Sequence, residues 1–305
     1  LSIVIPTYNE EENIILLYNE LKEVLNKLKK THEIIFVNDG SNDKTEEIIN
    51  SIKDKNFKPI HFRRNFGQTA AIDAGFKAST GDIIVTLDAD LQNDPKDISR
   101  LLTGIEQGYD IVAGWRANRK DTFSKKFISK GAKFLRGAIL KDKLKDSGCT
   151  LRAYKKECVE NLNLYGEMHR FIHIILKNKG FKIAQIKVNH RERIYGQTKY
   201  NMSRTFKSLL DMVLLNFWSK FSTRPIHFLG GIGLASMIFG FLITAYLVII
   251  KLFFNQAIGD RPLLIFAVLF IIFGTLFLMF GVLADILIKI YYQKEKQYTI
   301  KWYED

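Results

Sequence analysis

Two stretches of this chain, Phe228 to Ile250 and Pro262 to Ala284, contain no Asp, Glu, Lys, Arg or His. A helix needs about 20 apolar residues to cross the hydrocarbon core of a bilayer, and each stretch is long enough. Two fully buried core helices of this kind are hard to accommodate in a soluble chain of 305 residues. Membrane helices over about 228–250 and 262–288 are therefore expected. Arg224, Lys289, Lys294, Lys296 and Lys301 flank the outer ends of the pair, and only the short segment Lys251 to Arg261 joins the helices. The positive-inside rule then puts both termini, and the region before the first helix, on the cytoplasmic side of the cell membrane.

Before about Lys220 the composition changes, and charged residues mix with short apolar runs. The net charge of +13 is compatible with nucleic acid, an anionic membrane surface or an anionic substrate. Much of it lies in one segment, where Lys125, Lys126, Lys130, Lys133, Arg136, Lys141, Lys143 and Lys145 accompany Phe123, Phe127, Phe134 and Leu135. Such a segment can rest on lipid headgroups and attract phosphate, or it can be an ordinary solvated helix face. No nucleic-acid module is recognisable, so nucleic acid is not the expected partner. Met202, Phe206, Leu209, Leu210, Val213, Leu214, Phe217 and Phe221 recur at helical spacing, which predicts an amphipathic interface helix over 199–225. The expected organisation is a cytoplasmic domain over 1–198, that juxtamembrane helix, and a two-helix membrane domain over 226–305 with a cytoplasmic tail. No charged-then-apolar leader opens the sequence, so secretion is not expected. Cys149 and Cys158 are read as reduced cytoplasmic thiols.

In the first domain, Ser2 to Pro6, Glu33 to Val37, Lys58 to Phe62, Asp82 to Leu87 and Tyr109 to Ala113 are strand-like runs. Helical patterns such as Glu10 to Leu28 and Lys44 to Ile52 separate them. This alternation predicts an α/β fold with a Rossmann-like, mostly parallel sheet built from right-handed βαβ units. Open sheets of this type bind ligands at the carboxyl ends of their strands. Three turns fall there: Pro6-Thr7-Tyr8-Asn9-Glu10, Asn38-Asp39-Gly40-Ser41-Asn42-Asp43 and Asp88-Ala89-Asp90-Leu91-Gln92. Asp88 and Asp90, with Gln92 as a further oxygen donor, suit Mg²⁺ or Mn²⁺ held against a diphosphate. Asp39 can accept hydrogen bonds from a base or ribose, and Tyr8 can pack on a ring. The same residues also read as turns and helix caps. A G-x-G-x-x-G fingerprint after the first strand and a Walker-type glycine loop are both absent from the sequence.

The segments IVIPTYNEEENI, FVNDGSNDKT, NFGQTAAIDAGFKASTGD, LDADLQNDP, GWR, DSGCTLRAYKKE, GEMHRFI and GQTKYN follow one another in order. Together with the two terminal apolar runs, they resemble the motifs of family 2 inverting glycosyltransferases with a GT-A fold. The resemblance covers essentially the whole chain and is closest to the polyprenyl-phosphate group, which includes dolichyl-phosphate mannose synthase and bactoprenol glucosyltransferases. It implies that Pro6, Tyr8, Glu10 and Asp39 line a nucleotide pocket and that Asp88, Asp90 and Gln92 hold the metal. It also implies that Arg116, placed after the fifth strand, and Arg193 and Lys199 meet donor or acceptor phosphates. Position 38 departs from the pattern, since Asn38 stands where relatives often carry Asp, and its role is left open. Relatives of this kind assemble through membrane helices, so the resemblance allows a homo-oligomer.

The implied reaction is metal-dependent inverting transfer of one sugar from a nucleotide sugar, UDP-hexose or GDP-mannose, to a polyprenyl phosphate at the membrane. A lipid phosphate is already anionic near neutral pH and needs positioning by Arg and Lys more than deprotonation. A hydroxyl acceptor would need a general base, for which Asp146 and Glu167 are the candidates. His169 has no second His at ligand spacing and is read as a structural or phosphate-side residue. Two alternatives stand beside this reading. A polysaccharide-elongating transferase would be expected to carry a Gln-x-x-Arg-Trp motif, which is missing. A non-catalytic nucleotide- or lipid-binding membrane adaptor would not need intact Asp88, Asp90 and Gln92.

Overall fold

The computed structural model describes residues 1–117, 144–146, 148–192 and 224–292. The basic segment up to Lys143, nearly all of the 199–225 helix expectation, Arg193 and Lys199 lie outside the described residues. The chain divides into two units, Leu1–Val213 and Leu214–Asp305.

The first unit is built on one sheet. Its strands are β1 (Ser2–Thr7), β2 (Glu33–Asn38), β3 (Phe57–His61), β4 (Ile83–Thr86), β5 (Ile111–Arg116), β6 (Arg152–Lys155) and β7 (Ile183–Val188). They lie in the order β3-β2-β1-β4-β6-β5-β7. The central strands are apolar at consecutive positions because both faces are covered. Ile3 and Ile5 of β1, with Ile34 and Phe36 of β2, pack beneath α1 (Ile14–Leu28) and α4 (Ile98–Glu106). Val4, Ile35 and Val37, pointing the other way, pack beneath α3 (Gln68–Ala78) and α6 (Ile172–Asn178). This odd and even division is the pleat of a strand read out as two cores.

α1 shows how the pattern selects a helix. Ile14, Leu17, Tyr18, Leu21 and Leu25 form one buried stripe at spacings of three and four, with charged residues on the outer face. It ends at Lys29, which turns left-handed at φ 52° and donates its N–H to the Asn26 carbonyl. The described residues also include two short helices, α2 (Thr45–Ser51) and α5 (Lys156–Val159).

Two topological facts position the site. β2 and β3 lie on one side of β1 while β4 lies on the other, so the strand order reverses between β1 and β4. A crevice opens at the carboxyl ends of strands at such a switch point. β6 runs antiparallel between β4 and β5, with Arg152 paired to Thr86 and Lys155 to Ile83. The residues that enter β6 therefore arrive at the edge where β4 and β5 leave. The sequence reading held the first five strands and an essentially parallel order, but not β6 or β7. Both missed strands carry charge or amide groups, Arg152-Ala153-Tyr154-Lys155 and Ile183-Ala184-Gln185-Ile186-Lys187-Val188, and offer no continuous apolar run.

Among the described residues, the second unit holds α7 (Pro225–Phe253) and α8 (Pro262–Tyr292). Both are long and apolar enough to span a membrane, and most of their large side chains are exposed. They meet along small residues. A Cβ on Gly233 would lie 2.6 Å from the Gly274 carbonyl, and one on Gly240 would lie 2.9 Å from that of Ala267. Ser236 Oγ donates to the Phe270 carbonyl across the seam at 2.7 Å. Close backbone approach of this kind is how helices associate where no hydrophobic difference between partner and solvent drives them.

In the first unit α3 approaches β1 through Gly75, where an added Cβ would collide with the Val4 side chain. Gly75→Ala is expected to cost about 1–3 kcal/mol by overpacking. Val4→Ala in the same molecule should recover part of that loss, giving a non-additive double-mutant cycle read by thermal unfolding in detergent.

Candidate active site

The first two turns at the carboxyl edge are stitched into one unit. Asn9 sits left-handed at φ 52°, a conformation that Asn tolerates better than most residues. Its N–H donates to Ser41 Oγ at 2.9 Å, and its Oδ1 accepts from Asn42 N at 2.9 Å. Glu10 N donates to Thr45 Oγ1, Glu11 N to Asp43 Oδ2, and Asn13 Nδ2 to the Glu10 carboxylate at 2.6 Å. Pro6, Tyr8 and Glu10 are half-buried along this edge. Asp43 also accepts from Thr45 N and so braces the start of α2, but the cap position of that helix falls on Lys44 and not on Asn42 or Asp43.

Asp39 is 3% exposed and accepts from Phe66 N at 2.7 Å and Gly67 N at 2.9 Å, one on each oxygen. Burial raises its pKa, and the two amides only partly oppose that rise. The carboxylate thus ties the loop after β3 to the end of β2. Beneath it Gly40 has φ +64°, and a Cβ there would lie 2.6 Å from Arg64 Cα, so no larger side chain fits without moving the loop.

Position 38 also acquires a definite structural role. Asn38 Oδ1 accepts from Ser41 N, which fixes the amide orientation, and Nδ2 faces His61 Nδ1 at 3.2 Å. An amide nitrogen only donates, so Nδ1 accepts and the ring proton sits on Nε2, which faces Asn50 Oδ1 at 3.1 Å. An ionised Asp could accept from Ser41 but could not donate to the imidazole. Asn38 is a structural link rather than a second acid.

Asp88 and Asp90 follow β4, whose exit is held to β1 by the Leu87 N–H on the Val4 carbonyl at 3.3 Å. Asp88 Oδ1 accepts from Gln68 Nε2 at 2.8 Å, and Oδ2 from Thr150 Oγ1 at 2.7 Å. Asp90 is 7% exposed and accepts from Gln92 N at 3.1 Å, closing a turn around Leu91. Leu91 is left-handed at φ 60°, which costs about 1–2 kcal/mol for a residue with a Cβ. Its buried side chain anchors that conformation. Gln92 is half-buried beside them. Among the described residues no group of three or more His, Cys, Asp or Glu could hold a metal. Two carboxylates and an amide oxygen nevertheless fit Mg²⁺ or Mn²⁺, which take their remaining ligands from phosphate and water.

Three neighbouring segments converge on this turn. Arg191 N donates to the Gln92 carbonyl at 2.9 Å, and its guanidinium pairs with Glu20 and Asp94. Asn189 N donates to Asp97 Oδ2 at 2.6 Å. The chain leaving β7 is therefore fastened directly after Gln92, two residues before Arg193. At the start of α3, Thr69 Oγ1 lies 2.7 Å from His169 Nδ1, which docks the Gly-Glu-Met-His-Arg segment there. Glu167 pairs with Arg170 at 3.3 Å.

Arg116 is the last residue of β5 rather than one beyond it. Its Nε and Nη2 donate to Asp146 Oδ2 and Oδ1 at 2.7 and 2.9 Å, a bidentate pair with side chains 14% and 12% exposed. Burial acts against both charges, but each group overcomes it through the other. The Asp146 carboxyl titrates below the usual range and the Arg116 guanidinium above its own. Asp88 also contributes to the field on Arg116, so the pair and the acidic turn belong to one electrostatic site. Cys149 and Cys158 are buried free thiols pushed up to about 11 and about 12, which makes them inert.

The structure brings Pro6, Tyr8, Glu10, Asp39, Asp88, Asp90, Gln92, Arg116 and Asp146 to one edge of the sheet. Sequence reasoning missed Gln68 and Thr150. Both lie inside the recognised motifs, but their pairing with Asp88 exists only once α3 and β6 are packed.

The family model for glycosyl transferase family 2 matches residues 2–162. Dodecaprenyl-phosphate galacturonate synthase of Rhizobium johnstonii is 36% identical over 304 residues, covering 97% of this chain and 89% of that protein. Undecaprenyl-phosphate 4-deoxy-4-formamido-L-arabinose transferase of Pectobacterium atrosepticum is 36% identical over 294 residues, covering 95% and 88%. Glucosyl-3-phosphoglycerate synthase of Mycobacterium tuberculosis, solved with Mn²⁺ and uridine-diphosphate-glucose, superposes with a TM-score of 0.56 at 18% identity over 70% of this chain and 78% of that one. That likeness establishes the GT-A fold. The chain belongs to glycosyl transferase family 2. It is a glycosyltransferase, and the relatives it matches along nearly its whole length are polyprenyl-phosphate sugar transferases.

Asp39→Asn should expose the structural part of this site. An NH₂ would replace one acceptor opposite a backbone N–H, leaving a mismatch worth about 1–3 kcal/mol. Hydrogen exchange at the Phe66 and Gly67 amides is expected to accelerate in the variant, while the core amides of β1 keep wild-type protection.

Proposed function

We propose that this enzyme transfers a single sugar from a nucleotide sugar to a polyprenyl phosphate at the cytoplasmic face of the membrane, with Mg²⁺ or Mn²⁺, and yields a lipid-linked sugar for glycan assembly. The observation that carries the reading is the placement of Asp88 and Asp90, after β4, and of the Arg116–Asp146 pair, at the end of β5, on one edge of the sheet. The near full-length similarity to two polyprenyl-phosphate sugar transferases supports the acceptor. The two apolar helices and their basic flanks support a membrane site with both termini cytoplasmic.

In this reading Pro6, Tyr8, Glu10 and Asp39 line the nucleotide side. Asp88, Asp90 and Gln92 hold the cation, which supplies stabilisation of the negative charge that develops on the leaving diphosphate. Arg116 meets a phosphate oxygen, and Arg193 and Lys199 follow the segment fastened to Gln92. Asp146 is a positioning residue. Its carboxylate holds the guanidinium in one orientation, and a group titrating below the ordinary carboxyl range is a poor proton acceptor near neutral pH. A lipid phosphate requires none. The same pairing gives a stability expectation. The Asp146 carboxylate favours the folded state at every pH above its unfolded value of about 3.9, and that contribution is lost as pH falls through its lower folded value.

The test is transfer from a panel of labelled nucleotide sugars, including those of galacturonate and 4-deoxy-4-formamido-L-arabinose, to polyprenyl phosphate in detergent with and without Mn²⁺. Metal-dependent label in the lipid phase, lost in Asp90→Asn, is the expected result. Label appearing only in a sugar or glycan acceptor would overturn the lipid-phosphate reading. Asp146→Asn should raise KM for the lipid phosphate at least tenfold, about 1.4 kcal/mol, without introducing or removing a limb of the kcat pH profile between about pH 6 and 9. A kcat loss at unchanged KM, together with loss of an acid limb, would make Asp146 a base.

A further inference from the structure

We infer that Gln68 and Thr150 form an orienting clamp on Asp88, fixing the direction in which its carboxylate meets the metal-bound diphosphate. The inference rests on the metal-dependent transfer proposed above and assigns roles to two residues outside the expected ligand set.

The polarity of the clamp follows from the donors. Gln68, the first residue of α3, presents Nε2 to Asp88 Oδ1 at 2.8 Å, and an amide nitrogen can only donate. Thr150 Oγ1 lies 2.7 Å from Asp88 Oδ2 and 3.2 Å from Asn93 Nδ2. Because Asn93 donates to the hydroxyl, the single hydroxyl proton is free to point at Asp88. The backbone of Thr150 is fixed in turn by Thr86 Oγ1 on its carbonyl at 2.7 Å. Asp88 thus takes one neutral donor on each oxygen, from α3 on one side and from the entrance of β6 on the other. The two donors lock the plane of the carboxylate.

Orienting bonds of this kind around a metal-binding side chain carry a tenfold to hundredfold share of affinity or activity. Thr150 and Gln68 should therefore act on metal affinity while leaving the fold intact. Thr150→Val is close in shape and removes the donor, Thr150→Ser keeps it, and Gln68→Leu removes the other.

The experiment is Mn²⁺ binding to the full-length protein in detergent, followed by the electron paramagnetic resonance of free Mn²⁺, with UDP and GDP run in parallel. Thr150→Val and Gln68→Leu are each expected to weaken Mn²⁺ binding by about 10-fold to 100-fold. Thr150→Ser should stay within about threefold of wild type, because its hydroxyl still donates. Unfolding temperature identifies any variant that has lost its fold, and Thr150→Ser then decides alone. It supports the clamp if it binds as wild type and overturns it if it falls as far as Thr150→Val. Wild-type binding in both Thr150→Val and Gln68→Leu, with loss in Asp88→Asn and Asp90→Asn, overturns the clamp and leaves the metal site standing. Wild-type binding in the Asp variants as well removes the metal reading itself.

Discussion

The antiparallel insertion of β6 between β4 and β5 is the constraint on which the site depends. With a wholly parallel sheet, the chain entering the strand beside β4 would do so at the opposite edge, far from Asp88. Because β6 runs the other way, its entrance carries Asp146, Gly148, Cys149 and Thr150 to the carboxyl edge. There Thr150 meets Asp88 and Asp146 meets Arg116 at the end of β5. One reversed strand therefore joins the turns that follow β1, β2 and β4 to the end of β5 on one edge of the sheet. The sheet tolerates the reversal because antiparallel pairing is at least as favourable per residue as parallel pairing.

The other supports of the edge are hydrogen bonds between loops. Asp39 holds the loop after β3, Asn9 and Ser41 join the first two turns, and Arg191 fastens the chain leaving β7 to Gln92. The backbone polar groups of an irregular rim have no ladder to pair with, so side chains take that role. This explains why several residues that look like ligand groups in the sequence are also structural. Asp39 and Asp43 each satisfy backbone N–H groups, and neither role excludes a ligand at the remaining lone pairs.

Much of this was legible before the structure. The parallel half of the sheet follows from continuous apolar runs, the two long apolar helices from two uncharged stretches, and the acidic turn from its place after β4. What could not be read was pairing. β6 is short and carries Arg152 and Lys155, so its place in the sheet is fixed by the partners it finds and not by its own hydrophobicity. The bond between Thr150 and Asp88 spans 62 residues, and that between Thr69 and His169 spans 100. No local periodicity encodes such distances. Asp146 was visible as an acid at a turn, but only the bidentate contact with Arg116 distinguishes a proton acceptor from a brace.

That contact also bears on the entropy of capture. A free arginine side chain carries about 2 kcal/mol of rotamer freedom, which fixing it on an anion would take away. Held by Asp146 through two bonds, the Arg116 side chain has given up most of that freedom on folding, so an anion arriving at its remaining N–H groups meets a guanidinium already ordered.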